Sequence, residues 1–265
     1  LKESRNLQVE RSSAYKALLR EMKAVEDSDF PIPPELKGVL RPYQKDGYRW
    51  LMTLEALGFG GILADDMGLG KSLQMLTFFK QQAREDRTSL LVCPASLVYN
   101  WQEEVEKFVP QLKVAVITGT AQVRRELLEW EEHVDLLLTS YDLLKRDAPL
   151  YEGRQFYCQV LDEAQNIKNH NTQAAKAVKS IKAHVRFALT GTPIENRLSE
   201  LWSIFDYLMP GILGSYPSFR GKYEKAIVQD QNEQAAGRLQ RMINPFILRR
   251  LKSDVLKDLP EKWET

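Results

Sequence analysis

The segment Asp65-Asp66-Met67-Gly68-Leu69-Gly70-Lys71-Ser72 constrains this chain more than any other. It follows an apolar run, Gly61 to Ala64, and opens an amphipathic stretch, Ser72 to Lys80. A strand that turns through glycines into a helix lets backbone N–H groups converge on an anion. Gly68 and Gly70 give the backbone freedom to bend, and the helix N-terminus adds partial positive charge. In that setting Lys71 would reach the β- and γ-phosphates of a nucleotide, and the Ser72 hydroxyl would ligate Mg²⁺. Asp65 stands where the general phosphate-loop pattern has its first glycine. A solvated lysine on a glycine-rich turn is the alternative at this point.

Around this turn, short apolar runs alternate with amphipathic ones. Leu90 to Cys93, Val114 to Ile117, Leu136 to Leu138, Gln159 to Leu161 and Phe187 to Leu189 read as buried strands. Trp101 to Phe108, Val123 to Trp130 and Thr172 to Ser180 read as helices. The alternation predicts an α/β domain with a parallel central sheet flanked by helices. After Pro193 the spacing turns helical, over Leu198 to Met209, Phe219 to Val228 and Gly237 to Leu251. No strand is expected beyond about Leu189. Three parts follow: an arm or linker over 1–32, a lobe over 33–196, and a helical protrusion over 197–265. Tyr15, Leu18, Leu19 and Met22 give the arm helical spacing, which Pro31, Pro33 and Pro34 then break.

A second acidic signal follows the strand ending at Leu161, in Asp162-Glu163-Ala164-Gln165. Asp162 would hold Mg²⁺ through a water, and Glu163 would orient and deprotonate an attacking water. Acids complementing a helix dipole are the alternative, and they fit poorly about ninety residues after a phosphate loop.

Composition narrows the function classes. Lys plus Arg number 37 and Asp plus Glu 36, a net charge of +1, which excludes a wholly basic nucleic-acid packer and an acidic disordered tail. A local basic stripe is still allowed. Gln234 to Ser253 holds Arg238, Arg241, Arg249, Arg250 and Lys252 and no acid. It reads as a DNA-contacting face, a solvated face, or a surface covered by another domain. Cys93 and Cys158 cannot build a disulfide framework, which points to a reducing cytosol. His133, His170 and His184 share no metal-ligand spacing with them, so no zinc site is expected. Trp101 and Trp202 read as packing residues rather than base-stacking platforms. No apolar run reaches the ~18 residues of a membrane span. A start at Leu1 and a stop at Thr265 suggest part of a longer chain.

Taken in order, the motifs resemble the Swi/Snf family of double-stranded-DNA translocases in helicase superfamily two. Leu40-Arg41-Pro42-Tyr43-Gln44-Lys45-Asp46-Gly47 resembles the family's entry motif, and Asp65 to Ser72 its motif I, which carries an acid at the first position. Val92 to Leu97 with Asn100-Trp101 resembles motif Ia, and Thr139-Ser140-Tyr141 motif Ib. Asp162 to Gln165 with Asn166 to Asn169 resembles motif II, and Leu189 to Asn196 with Leu201-Trp202 motif III. Phe246 to Lys262 resembles the stretch leading out of lobe one.

The resemblance implies a RecA-like P-loop NTPase lobe that takes ATP and Mg²⁺. It assigns Arg41, Gln44, Asp66, Met67, Gly68, Leu69, Gly70, Lys71 and Ser72 to the nucleotide, with Gln44 reading the adenine edge. Ser72 and Asp162 would serve the metal, and Lys71, Asp162, Glu163 and Gln165 the catalysis. Gln165, where many members have His, would couple the Mg²⁺ site to motif III. Ser96, Asn100, Ser140, Tyr141, Lys168 and Asn196 would touch DNA phosphates. Lobe two of the same full-length chain would supply arginine fingers, so residues 1–265 alone are expected to hydrolyse ATP very slowly. The implied partners are double-stranded DNA and a DNA-bound protein complex, with no membrane. The implied compartment is the cytoplasm, at the nucleoid in a bacterium, or the nucleus in a eukaryote. An RNA-dependent or strand-separating helicase, and a non-catalytic interaction module keeping the fold, are the alternatives.

Overall fold

A computed structural model describes residue 20 and residues 30–129, 133–192 and 197–255. The strands are β1 (Gly61–Leu63), β2 (Ser89–Cys93), β3 (Val114–Val116), β4 (Leu136–Ser140), β5 (Gln155–Leu161), β6 (Lys182–Leu189) and β7 (Ile247–Leu248). They form one sheet in the order β3-β4-β2-β5-β6-β1-β7, and every pairing is parallel. The helices are α1 (Pro42–Ala56), α2 (Lys71–Gln82), α3 (Val98–Phe108), α4 (Ala121–Glu129), α5 (Tyr141–Asp147) and α6 (Gln173–Ser180). They continue as α7 (Leu198–Leu208), α8 (Tyr216–Phe219), α9 (Lys225–Val228), α10 (Glu233–Ile243) and α11 (Lys252–Val255), with a π-helical turn at Arg220–Glu224 joining α8 to α9.

The parallel sheet follows from residues that tolerate burial on both faces. β2 (SLLVC) and β4 (LLLTS) are buried at every position. β5 and β6 extend several residues before the apolar ends that mark them in sequence, because Gln155, Lys182 and His184 lie exposed at their starts. Helix starts have local causes. The side chains of Ser140, Thr172 and Asn232 accept from Leu143, Ala175 and Asn232's third neighbour Ala235, each such cap being worth about 1 kcal/mol. α1 begins with proline at its first position, and the Gln44 side chain reaches back to accept from Arg41 N.

The C-terminal third departs from expectation. Gly237 to Leu251 is not one helix: α10 stops at Ile243, before Pro245, and the chain then returns to the sheet. Ile247 and Leu248 pair with Ile62 and Leu63, so β7 is a strand beyond Leu189. A two-residue strand leaves no periodicity to read. Nor does the core divide at 196. α7 carries Phe205, Tyr207 and Leu208 into the same core as β1 and β6. The Tyr207 hydroxyl donates to the Gln159 carbonyl at 3.0 Å, and Ser203 donates to the Ile167 carbonyl at 2.6 Å. Helical spacing says which face is apolar, not where it docks. The end of the expected arm also lies on the lobe: Phe30 and Ile32 pack against the core, and Tyr48 donates to the Pro31 carbonyl at 2.8 Å. Tyr15, Leu18, Leu19 and Met22, Trp130 and Leu259 to Lys262 lie outside the described residues. Among the described residues, no helix is long and apolar enough to cross a membrane.

Candidate nucleotide-binding site

Three adjacent strands deliver the site. Leu161 of β5 pairs with Ala188 of β6, and Leu189 of β6 pairs with Leu63 of β1. Their C-terminal ends therefore stand level, and the segments 162–165, 190–192 and 65–71 emerge side by side. The crevice beyond such strand ends is where open parallel sheets bind ligands.

The loop after β1 takes its shape from glycine. Gly68 and Gly70 have φ of +83° and +75°, which a side chain rarely permits. A Cβ on Gly70 would stand 2.4 Å from Gln44 Nε2. Gly70 is the N-cap of α2 and offers no side-chain acceptor, so the first N–H groups of the helix are left for an outside partner. Lys71 Nζ donates to the Asp65 carbonyl at 2.8 Å. Burial pulls the Lys71 pKa down, and the carboxylates of Asp162, Asp65, Glu163 and Asp66 oppose that shift.

The entry motif braces this loop. Gln44 is buried; its Oε1 accepts from Arg41 N at 2.9 Å and its Nε2 donates to the Leu69 carbonyl at 3.1 Å. The amide expected to read adenine here ties α1 to the loop, with one lone pair and one hydrogen to spare. The Arg41 side chain and Met67 are exposed. Met67 lies close to Gly191, where a Cβ would come within 2.9 Å of its Cγ. Asp66 Oδ2 accepts from Lys252 N at 3.1 Å.

The acidic pair sits opposite. Trp101 Nε1 donates to Asp162 Oδ2 at 2.8 Å, and Glu163 N donates to Asp162 Oδ1 at 2.9 Å. Burial pushes the Asp162 pKa up, against the lowering effect of these two donors. Glu163 adopts φ of +49°, a left-handed conformation costing a non-glycine residue roughly 1–2 kcal/mol. Gln165 Nε2 donates to Glu163 Oε2 at 2.6 Å, and Thr190 Oγ1 donates to Gln165 Oε1 at 3.1 Å. Thr192 N donates in turn to Thr190 Oγ1 at 3.2 Å. A hydrogen-bond chain thus runs from Glu163 to the loop after β6.

The residues expected at DNA do not all share a surface. Ser96 and Lys168 are exposed, with Lys168 Nζ 3.9 Å from Glu200. Asn100 is exposed and lines a depression of about 480 Å³ together with Gly70 and Ser72, so it faces the phosphate-loop side. Ser140 and Tyr141 differ from the other residues expected at DNA. Both are buried. Ser140 Oγ caps α5, and the Tyr141 hydroxyl donates to the Asp162 carbonyl at 2.7 Å. A hydroxyl at a strand end serves either neighbour, and sequence does not tell which. Asn196 lies outside the described residues.

The basic stripe also divides. Arg238, Arg241, Arg249 and Lys252 are exposed, whereas Arg250 turns inward onto Asp65. Sequence reasoning missed Trp101 as a partner of Asp162, and it placed Arg250 only in a basic stripe, not on Asp65. A buried indole N–H requires an acceptor, and that requirement was the available signal for Trp101.

A glycine-shaped loop and an acidic pair at neighbouring strand ends define the RecA-like fold of a P-loop NTPase lobe. The likeness extends to solved structures. A Sulfolobus solfataricus SWI2/SNF2 ATPase core in complex with dsDNA is 46% identical with a TM-score of 0.76, covering 83% of this chain and 47% of that one. The SNF2-related domain model matches residues 43–265, and the chain belongs to that family. A Bacillus subtilis protein described as the putative ATP-dependent helicase/translocase YwqA is 42% identical over 97% of this chain. The Saccharomyces cerevisiae TATA-binding protein-associated factor MOT1 is 42% identical over 88% of it. The chain spans 29% of the Bacillus relative and 14% of the yeast one.

Proposed function

We propose that this chain is the first ATPase lobe of a double-stranded-DNA translocase, binding MgATP at the strand-end site and duplex DNA through its phosphates. The observation that carries the reading is the convergence of the Lys71 loop, Asp162–Glu163 and the Gln165–Thr190 hydrogen bonds on one crevice. Family membership supports ATP hydrolysis, and the duplex bound to the Sulfolobus core supports the substrate.

The residues fit a metal-bound triphosphate. The left-handed backbone at Gly68 and Gly70 turns the loop so that its amides can converge on an anion, and four carboxylates act on the single ammonium of Lys71. That excess of negative charge suits a divalent cation held by hard oxygens, supplied here by Asp162 and the Ser72 hydroxyl. When bound, Mg²⁺ would neutralise charge developing on the phosphates. Gly68 to Ser72 would orient the phosphate chain through backbone N–H groups. Lys71 would leave the Asp65 carbonyl for a phosphate oxygen. Glu163 would take a proton from the attacking water, its carboxylate aimed by Gln165. Gln165 and Thr190 would relay the state of the site to the loop after β6.

Ser96 and Lys168, with backbone groups of the same loops, are the described residues proposed for DNA phosphates. Such contacts fix register without reading bases. α8 to α10 form the protrusion of this lobe, and lobe two of a longer chain supplies the trans-acting cation, worth ~10³–10⁵ in rate. The compartment proposed is the cytoplasm, or the nucleus in a eukaryote, and a DNA-bound protein complex is the cargo class.

Comparing ATPase rates of the full-length protein with duplex DNA, single strands and RNA tests the reading. The expected result is strong stimulation by duplex DNA that weakens steeply as salt rises. Stimulation by RNA or single strands alone would replace it with the strand-separating alternative.

A further inference from the structure

The side chain most thoroughly engaged around the phosphate loop comes from the far end of the chain. Arg250 Nε donates to Asp65 Oδ1 at 2.9 Å and its Nη2 to Asp65 Oδ2 at 2.5 Å. The same guanidinium donates to Gln74 Oε1 on α2 at 2.8 Å and to the Tyr43 carbonyl on α1. Asp65 is fully buried, and the Arg250 side chain is 15% exposed. Backbone bonds run alongside: Ala64 N donates to Leu248 O at 2.7 Å and Asp66 N to Arg250 O at 3.0 Å. Room for this hub is left by Gly47, where a Cβ would stand 1.8 Å from Gln74 Oε1 and 2.8 Å from Arg250 Nη2.

Asp65 thus has two ends in use. Its carboxylate is gripped by Arg250, and its carbonyl holds the Lys71 ammonium. We propose that Arg250 is a positioning residue for the nucleotide: it fixes Asp65, and through it the Lys71 loop, to the segment by which the chain leaves the sheet. This inference rests on the nucleotide reading above. Three elements that frame the site, α1, the loop and α2, receive one rigid fork from a residue that touches no phosphate. A planar guanidinium reaches four acceptors at once, whereas a lysine at the same place brings its donors from a single point. Any force drawing residues 247–252 away from β1 acts on Asp65 as well as on the β1–β7 backbone bonds. The position of whatever follows β7 is therefore sensed at the phosphate loop.

The test uses the full-length protein, with Arg250→Lys as the main variant because it keeps the buried charge paired. Asp65→Asn combined with Arg250→Gln removes both charges and guards against misfolding. ATP KM, kcat and amide hydrogen exchange over residues 64–72 without nucleotide are measured for each variant that melts cooperatively. The expected result is an ATP KM at least tenfold higher in Arg250→Lys, kcat changed less than threefold, and faster exchange over 64–72. A cooperatively folded Arg250→Lys, or double variant, with ATP KM within twofold of wild type would overturn the inference while leaving the nucleotide reading intact. A wild-type protein that binds no ATP would overturn both.

Discussion

Asp162 meets two opposing demands. The metal role proposed for it needs a charged carboxylate, yet burial pushes its pKa up. The Trp101 indole and the Glu163 amide work against that shift by donating to the charged form. Trp101→Phe keeps the packing and deletes one donor, so the Asp162 pKa rises further. The charged form is then lost at higher pH as the solution is acidified. The acid limb of kcat/KM for the full-length ATPase is expected to move to higher pH, with the plateau at alkaline pH largely kept. An acid limb that stays in place would mean the indole contact is packing alone. Sequence read Trp101 as a packing residue, and it is one. The need of its indole N–H for an acceptor was legible, but not which acceptor, because Asp162 stands 61 positions away.

At the scale of elements, local signals located most of what mattered. The phosphate loop, the acidic pair and the loop after β6 were all legible, because each joins an apolar run to a polar motif. α1 was not marked as a helix, although Pro42 opens it and Tyr48, Leu51 and Leu54 form its buried face. β7 was missed for a different reason: its partner β1 lies about 185 residues earlier, and two residues show no pattern. Gly47 shows how such remote packing dictates a local choice. In an exposed helix, glycine to alanine gains roughly 0.8–1.0 kcal/mol. Here the added methyl would collide with Gln74 and Arg250, and overpacking of this kind costs typically 1–3 kcal/mol. Gly47→Ala is therefore expected to destabilise, lowering the urea midpoint. A raised midpoint would show that the hub has slack.

On the scale of the whole molecule, near-neutral charge conceals an uneven distribution. Asp65, Asp66, Asp162 and Glu163 crowd one crevice around Lys71, while Arg238, Arg241, Arg249 and Lys252 are exposed on the C-terminal third. The stripe in which those cations occur is contiguous in sequence but splits in space, since Arg250 points into the lobe. The core runs across position 196 for a related reason: β7 and α7 return to a sheet built earlier in the chain. Folding thus gathers at one sheet edge the loop, its lysine, the acidic pair and the departing strand. Equilibrium binding of a fluorescent ATP analogue with Mg²⁺, compared between the wild-type full-length protein and Lys71→Ala, tests this most directly. Loss of a charge-assisted contact worth about 1.5–3 kcal/mol predicts at least about tenfold weaker binding in a variant that still folds. Equal affinity in the two proteins would contradict the assignment of this crevice to the nucleotide.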